Sequence, residues 1–347
     1  MTEISRIGMD TSKHVFQLHC VDAEEQVVGR SKLRRRLVLE FFAKQAPTTV
    51  GIEACGSAHY WARELGRLGH TVKLLPPQYV KPYVKRGKND AADAEAICEA
   101  MSRPTMRFVP IKSAEEQAAL MLARVRQQLT RSRVRLANAI RGHAAEFGLI
   151  APKGPCRIAP LLARIEDDPK VPDLARELFA DLAERYHALE QRQKELDAKL
   201  TAWHRSNETS RRLTGIPSVG PIIAALMVMK TPDPKAFRSG RQFAAWLGLT
   251  PRDHSTANKQ RSGVITRAGD ETLRSLLVVG ATAVIQQVRS GKATPSPWLD
   301  GVLQRKPPKL AAVALANKTA RIAWKLMVSG EHYQADRRRT GSTPAAA

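Results

Sequence analysis

The first hundred residues place the tightest limit on the fold, because short apolar runs there alternate with helical spacing in a definite order. Ile4–Asp10, Val15–Val21 and Gln26–Ser31 read as three consecutive strands on tight connections. Leu37–Lys44 has helical spacing and Thr48–Glu53 is a β-branched strand. Ala58–Leu68 is a helix ended by Gly69, and Thr71–Leu75 is a strand halted by Pro76 and Pro77. A last helix follows the loop that ends at Asn89. The predicted order is βββαβαβ with a closing helix.

That is the ribonuclease H order, in which the first and fourth strands are neighbours and the closing helix packs where its acids can join their ends. Asp10 ends the first strand, Glu53 ends the fourth, and Asp90 and Asp93 stand one helical turn apart on the closing helix. Taken singly, each acid reads as a solvated side chain. Four converging carboxylates would repel one another strongly unless they held hard cations such as Mg²⁺, or Mn²⁺ in its place. Two such ions can stabilise the entering and leaving oxygens of a phosphoryl transfer.

Ser113 to about Phe147 reads as one long Arg- and Gln-rich helix, with Ser113 as cap and Glu116 at the capping-box position. Arg124, Arg131 and Arg135 share a face, either a solvated one or a basic stripe for a nucleic-acid backbone. Pro152, Gly154, Pro155 and Pro160 mark a linker. Ala175, Leu182, Leu189, Leu196 and Trp203 then recur every seventh residue, with Phe179, Tyr186, Gln193 and Leu200 between them. This predicts a coiled-coil helix. Its seam must be buried against the Ser113–Phe147 helix or against a second copy, which points to a homo-oligomer, dimer or tetramer.

Charge enters the argument through its distribution. The 347 residues hold 56 Lys+Arg against 33 Asp+Glu, a formal +23, while 43% hydrophobic residues exclude disorder throughout. Residues 1–100 carry +3, residues 101–210 carry +5 and residues 211–347 carry +15. Such a surplus calls for a polyanion, and nucleic acid is the commonest soluble one. Cys20, Cys55, Cys98 and Cys156 are far apart, without CxxC spacing, and read as reduced core thiols. No basic segment followed by an apolar one opens the chain, and stretches such as Leu276–Ile285 are too short to cross a bilayer. A cytoplasmic protein without membrane partners is expected.

In the last third, Leu213–Pro221 (LTGIPSVGP) resembles the turn of helix-hairpin-helix proteins, although a Gly-bearing turn has many ordinary causes. Phe237–Gly248 (FRSGRQFAAWLG) leads into a polar loop from Thr250 to about Ser262. A helical run, Leu273–Val288, follows, and a tail from about Gln334 reads as disordered. Ser255 lies in that loop among Arg252, His254, Lys259 and Arg261. A serine so flanked could attack a phosphodiester if it lost its proton and the cations neutralised the developing charge. On those grounds alone it reads as a turn residue.

Five segments together carry a more specific likeness: IGMDTSK, TVGIEACG, KRGKNDAADAEAI, RQFAAWLGLTPRDHST and GVITRAGDETLRSLLV. They resemble the DEDD transposases of the IS110 insertion-sequence family, relatives of the Piv DNA invertase, over roughly residues 4–150 and 210–290. The resemblance implies a fold of class α/β + α in four parts. Residues 1–110 would be a RuvC-like ribonuclease H domain, 111–210 a coiled-coil helical connection, 211–330 a small helical transposase domain with a catalytic serine, and 331–347 a disordered tail. It maps the DEDD set onto Asp10, Glu53, Asp90 and Asp93 and the serine onto Ser255, with Thr256 and Ser262 as weaker candidates. Ala257 and Asn258 stand where the family commonly has a Gly pair. It further implies donor and target DNA and a noncoding bridge RNA as partners. The expected nucleic-acid contacts are Lys88, Arg124, Arg131, Arg135, Arg252, Lys259, Arg261 and Arg267. Two other readings compete, a metal-dependent nuclease or Holliday-junction resolvase and a noncatalytic nucleic-acid-binding scaffold.

Overall fold

Residues 3–85, 90–253 and 262–334 are described by the computed structural model. They fall in two units, Met1–Ala118 and Ala119–Ala347. In the first, β1 (Arg6–Asp10), β2 (Val15–Val21) and β3 (Val27–Arg34) form an antiparallel meander, because their connections are too short for a crossover. The chain then passes through α1 (Val38–Ala43), β4 (Thr49–Glu53), α2 (Ala58–Arg67) and β5 (Thr71–Leu75). β4 pairs parallel to β1 and β5 parallel to β4, giving the strand order β3-β2-β1-β4-β5. β1 thus lies beside β4, as the ribonuclease H order requires. A short helix α3 (Pro77–Val80) and the closing helix α4 (Asp90–Ala100) complete the sheet's surroundings.

Alternation along the strands decides what each face does. Ile7, Met9, Val50 and Ile52 are fully buried together with Val38 and Phe42 of α1 and Leu65 of α2. Phe16 meets Trp61 edge to face at 4.9 Å, and the Arg35 guanidinium lies 5.0 Å from the Trp61 ring centre. The opposite face carries Gly8 and Gly51. With no side chain at Gly8, the backbone of α4 lies directly on β1: a Cβ there would stand 2.2 Å from the Ala94 carbonyl oxygen and 2.6 Å from the Cys98 amide nitrogen. Ala96, Ile97, Ala100 and Met101 then close a second small core with Leu75 and Val80.

The second unit holds most of α5 (Ala114–Glu146), which Ser113 and Glu116 cap reciprocally. The Ser113 amide donates to Glu116 Oε2 at 2.8 Å and the Glu116 amide donates to Ser113 Oγ at 3.1 Å. Next come α6 (Ile158–Asp167) and α7 (Asp173–Ser206). Arg126 of α5 pairs with Asp197 of α7, and Arg133 with Glu190 at 3.5 Å. A step of seven residues along α5 answers a step of seven back along α7, so the two helices run antiparallel. Phe179, Tyr186, Gln193 and Leu200 are buried on α7, whereas Ala175, Leu182, Leu189, Leu196 and Trp203 are half-buried. The seam is therefore centred on the intervening set, not on the every-seventh set that begins at Ala175.

α8 (Glu208–Leu213), α9 (Pro221–Lys230), α10 (Gly240–Trp246), α11 (Glu271–Arg289), α12 (Pro297–Arg305) and α13 (Pro308–Ser329) surround the largest core. Ala311, Ala312, Ala316, Ala320 and Ala323 are buried on α13, and their small size lets neighbouring helices approach it closely. Asn207, Ser239, Asp270 and Ser296 cap α8, α10, α11 and α12 by accepting backbone amides. The segment read as a polar loop from Thr250 to about Ser262 is partly strand. β6 (Pro251–Asp253) and β7 (Ser262–Ile265) pair antiparallel, and are too short to show a period of two in sequence. The tail read as disordered lies, from residue 335, outside the described residues.

All four cysteines are free, but two of them correct the core-thiol expectation. Cys20 and Cys98 are buried, whereas Cys55, just after β4, and Cys156, in the short 3₁₀ helix Pro155–Arg157 before α6, are exposed. No described helix is long and apolar enough to cross a membrane.

Gly8→Ala should destabilise the first unit by about 1–3 kcal/mol in urea unfolding, the range for forcing a methyl into a filled core. Gly66→Ala in α2, where a Cβ meets nothing within 4 Å, should leave stability unchanged or raise it by up to about 1 kcal/mol.

Candidate active site

β1 and β4 pair in the register Gly8↔Gly51, which brings their C-terminal residues Asp10 and Glu53 to one end of the sheet. Each acid is two residues beyond its glycine and so shares that glycine's face, the one α4 covers. The first turn of α4 carries Asp90 and Asp93, where the helix N-terminus favours negative charge. One carboxylate oxygen from each of Asp10, Asp90 and Asp93 lies within 4.8 Å of the others. Glu53 is not in this tight group but stands close enough to feel it: its carboxyl is raised by burial and by the charge of Asp93. Asp10 is pushed up to about 6, first by burial and then by Asp93 and Asp90, with Glu53 adding and the Thr11 amide opposing. Asp10 is thus the electrostatic centre of the site.

Three features of this site escaped sequence reasoning. Gly8 and Gly51 admit α4, and Thr11 Oγ1 lies 3.2 Å from Cys55 Sγ, joining the residue after Asp10 to the turn after Glu53. The glycines left a readable signal, since IGMD and VGIE repeat one Gly-x-acid pattern on two neighbouring strands. The Thr11–Cys55 contact left none.

In the second unit, the Thr266 amide donates to the Thr250 carbonyl at 2.9 Å and the Arg267 amide to the Gly248 carbonyl at 3.2 Å, tying together the segments that flank residues 254–261. Ser255, with His254, Thr256, Lys259 and Arg261, lies outside the described residues, as does Lys88. Ser262 opens β7, and Arg252 and Arg267 are exposed. Arg124, Arg131 and Arg135 are exposed along one stretch of α5, though Arg131 is held by Glu271 at 3.1 Å.

A transposase family model of the IS110 DEDD type matches residues 7–147, and one for the IS116/IS110/IS902 transposase family matches residues 210–294. The y4pF/y4sB protein of Sinorhizobium fredii is 64% identical over 333 residues, covering 96% of this chain and 86% of that protein. The transposase of insertion sequence IS1328 from Yersinia enterocolitica is 38% identical over 95% of this chain and 98% of its own. That of IS1111A from Coxiella burnetii is 37% identical over 96% and 92%. The chain belongs to the IS110 transposase family.

The chain is therefore a DNA transposase, acting on donor and target DNA, and its DEDD domain implies use of a divalent metal. The residues present fit such an ion. Asp10, Asp90 and Asp93 offer hard carboxylate oxygens with no sulfur or imidazole among them, and Asp10 is raised by burial and then by the charges of Asp93 and Asp90, both of which a bound cation would offset.

The shift of Asp10 has a signed consequence for stability. Its carboxyl holds a proton to about pH 6 when folded, against an ordinary value of 3.8, so the folded state binds the extra proton between those values. This contribution to stability is full below about pH 4 and is lost as pH rises through about 6. In metal-free thermal melts the wild-type transposase should lose stability over that window relative to Asp10→Asn. Mn²⁺ at pH 7 should raise the melting temperature of the wild type and leave that of Asp10→Asn unmoved.

Proposed function

We propose that this transposase exchanges DNA strands, excising and inserting its element, with two kinds of group: Asp10, Glu53, Asp90 and Asp93 as ligands for Mg²⁺, and Ser255 as nucleophile. The observation that carries the reading is the meeting of three aspartate oxygens within 4.8 Å at the ends of β1 and α4, with Glu53 beside them. Bound there, divalent ions supply charge neutralisation at a scissile phosphate. Asp10, raised by burial and then by the charges of Asp93 and Asp90, would hold such an ion together with them. Ser255 Oγ forms a bond to phosphorus as the bond from phosphorus to a deoxyribose oxygen breaks. The serine gives up its proton and the departing oxygen gains one. Attack by another strand's hydroxyl on the phosphoserine reverses those changes, restores Ser255 and joins the new strands. Arg252, Lys259, Arg261 and Arg267 offset the phosphate charge in this scheme.

The same reading assigns sequence recognition to a bridge RNA. A surplus of +15 in residues 211–347, with only 5% aromatic residues in the chain, suits a protein that grips backbone and leaves base reading to pairing. We read α5 and α7 as a coiled coil that helps join copies into a dimer or tetramer in the cytoplasm.

The test is a nicked suicide DNA substrate, incubated with the full chain, its RNA and Mg²⁺, and resolved under denaturing conditions. A protein–DNA adduct is expected that disappears in Ser255→Ala and in Asp93→Asn. Free ends without an adduct would replace this reading with a nuclease or resolvase, and unchanged DNA would replace it with a scaffold. RNA should also copurify at salt high enough to strip nonspecific contacts.

A further inference from the structure

We infer that a groove within the second unit seats an unpaired DNA strand. The inference rests on the strand-exchange reading for the source of such a strand, because breaking one strand of a duplex releases an unpaired end.

The groove has a volume of about 900 Å³ and is walled by β7, α10, α12 and α13. Arg241 at the start of α10 and Lys318 and Arg321 on α13 line it, and none of the three has an acidic partner among the described residues. Among the described residues no acid lines it either. Lys318 and Arg321 are three residues apart and so project from the same side of α13. Between these cations the floor is apolar and open: Val264 is 70% exposed, Leu310 56% and Trp298 37%. Lys318 Nζ stands 4.4 Å from the centre of the Trp298 ring, which places a phosphate-binding cation against an aromatic face.

This combination selects its occupant. An apolar protein segment would bury three uncompensated cations at a cost that its contacts do not repay. A duplex presents phosphates outward and hides its bases, so it would lay charge on Val264, Leu310 and Trp298. An unpaired strand supplies both halves, phosphates for the cations and base faces for the indole. The groove's neutral polar side chains are already held by backbone: Asn317 Nδ2 donates to the Leu249 carbonyl at 3.1 Å, and Ser239 Oγ accepts from the Gln242 amide at 3.3 Å. Strand exchange as proposed releases a DNA end, so deoxyribose is the sugar assigned to the occupant.

The experiment uses the full chain in EDTA, where no strand exchange occurs, so that failure of the chemistry leaves the binding readout intact. An oligothymidine of about ten nucleotides, within the usual span of a single-strand site, carries 5-iododeoxyuridine for photocrosslinking and a fluorophore for anisotropy. The crosslink should map to the peptide containing Trp298. Trp298→Ala should weaken binding about tenfold, within the range for losing one stacked base, while Trp298→Phe retains it. Lys318→Ala with Arg321→Ala should lower the slope of log affinity against log salt by about 1.4, as expected for two lost phosphate contacts on a single strand. A crosslink confined to other peptides, or a duplex weakened as much as the single strand by Trp298→Ala, would overturn the inference. An oligouridine affected more than the oligothymidine would make the groove an RNA seat and overturn it as well.

Discussion

The arrangement of the first unit depends on one contact, the backbone of α4 lying on β1 at Gly8. A Cβ at that position would clash with the Ala94 carbonyl oxygen at 2.2 Å, so the helix can approach only where the strand offers nothing but hydrogen. That approach is what carries Asp90 and Asp93 to Asp10. Moving the helix out by the width of a methyl group would separate carboxylates whose value lies in being crowded. Asp10 is pushed up to about 6 by burial first and by its neighbouring acids second, and the cores on both faces of the sheet hold it there.

The second unit solves a different problem, how to hold a large positive surplus on a stable frame. Its core uses alanine on α13 and side-chain caps at four helix starts, leaving long cationic side chains free for the surface. Some cations are committed within the fold. Arg126 and Arg133 pair across α5 and α7, and Lys230 binds Asp270 at 2.8 Å. Others, among them Arg241 and Arg321, face a groove that no acid lines among the described residues. Net charge therefore says that a polyanion is bound, and the pairing pattern says which cations remain available to bind it.

Legibility in sequence followed the length of each signal. The strands of the sheet and the two long helices were readable because each has several residues of consistent spacing, and the reciprocal Ser113–Glu116 cap is a four-residue pattern with one physical meaning. β6 and β7 were read as loop because three and four residues are too few to establish alternation. On α7 both sets of the heptad are legible, but not that Phe179, Tyr186, Gln193 and Leu200 lie deeper, because only the partner helix decides which set faces inward. The exposure of Cys55 and Cys156 is not legible because cysteine identity favours burial, whereas both lie in short connections between the main elements.

The sequence by itself determined the order of the strands in the first unit, the placing of four acids at strand and helix ends and the uneven charge, since these are properties of residues and spacing along the chain. Tertiary structure decided which acids meet. Asp10, Asp90 and Asp93 form the tight group and Glu53 stands beside it, a distinction set by the depth to which α4 settles on two glycines. It also decided that Trp298, Lys318 and Arg321 share one groove. Trp298 comes from α12 and the two cations from α13, and no spacing along a chain records which helix faces will be left uncovered once the cores are filled.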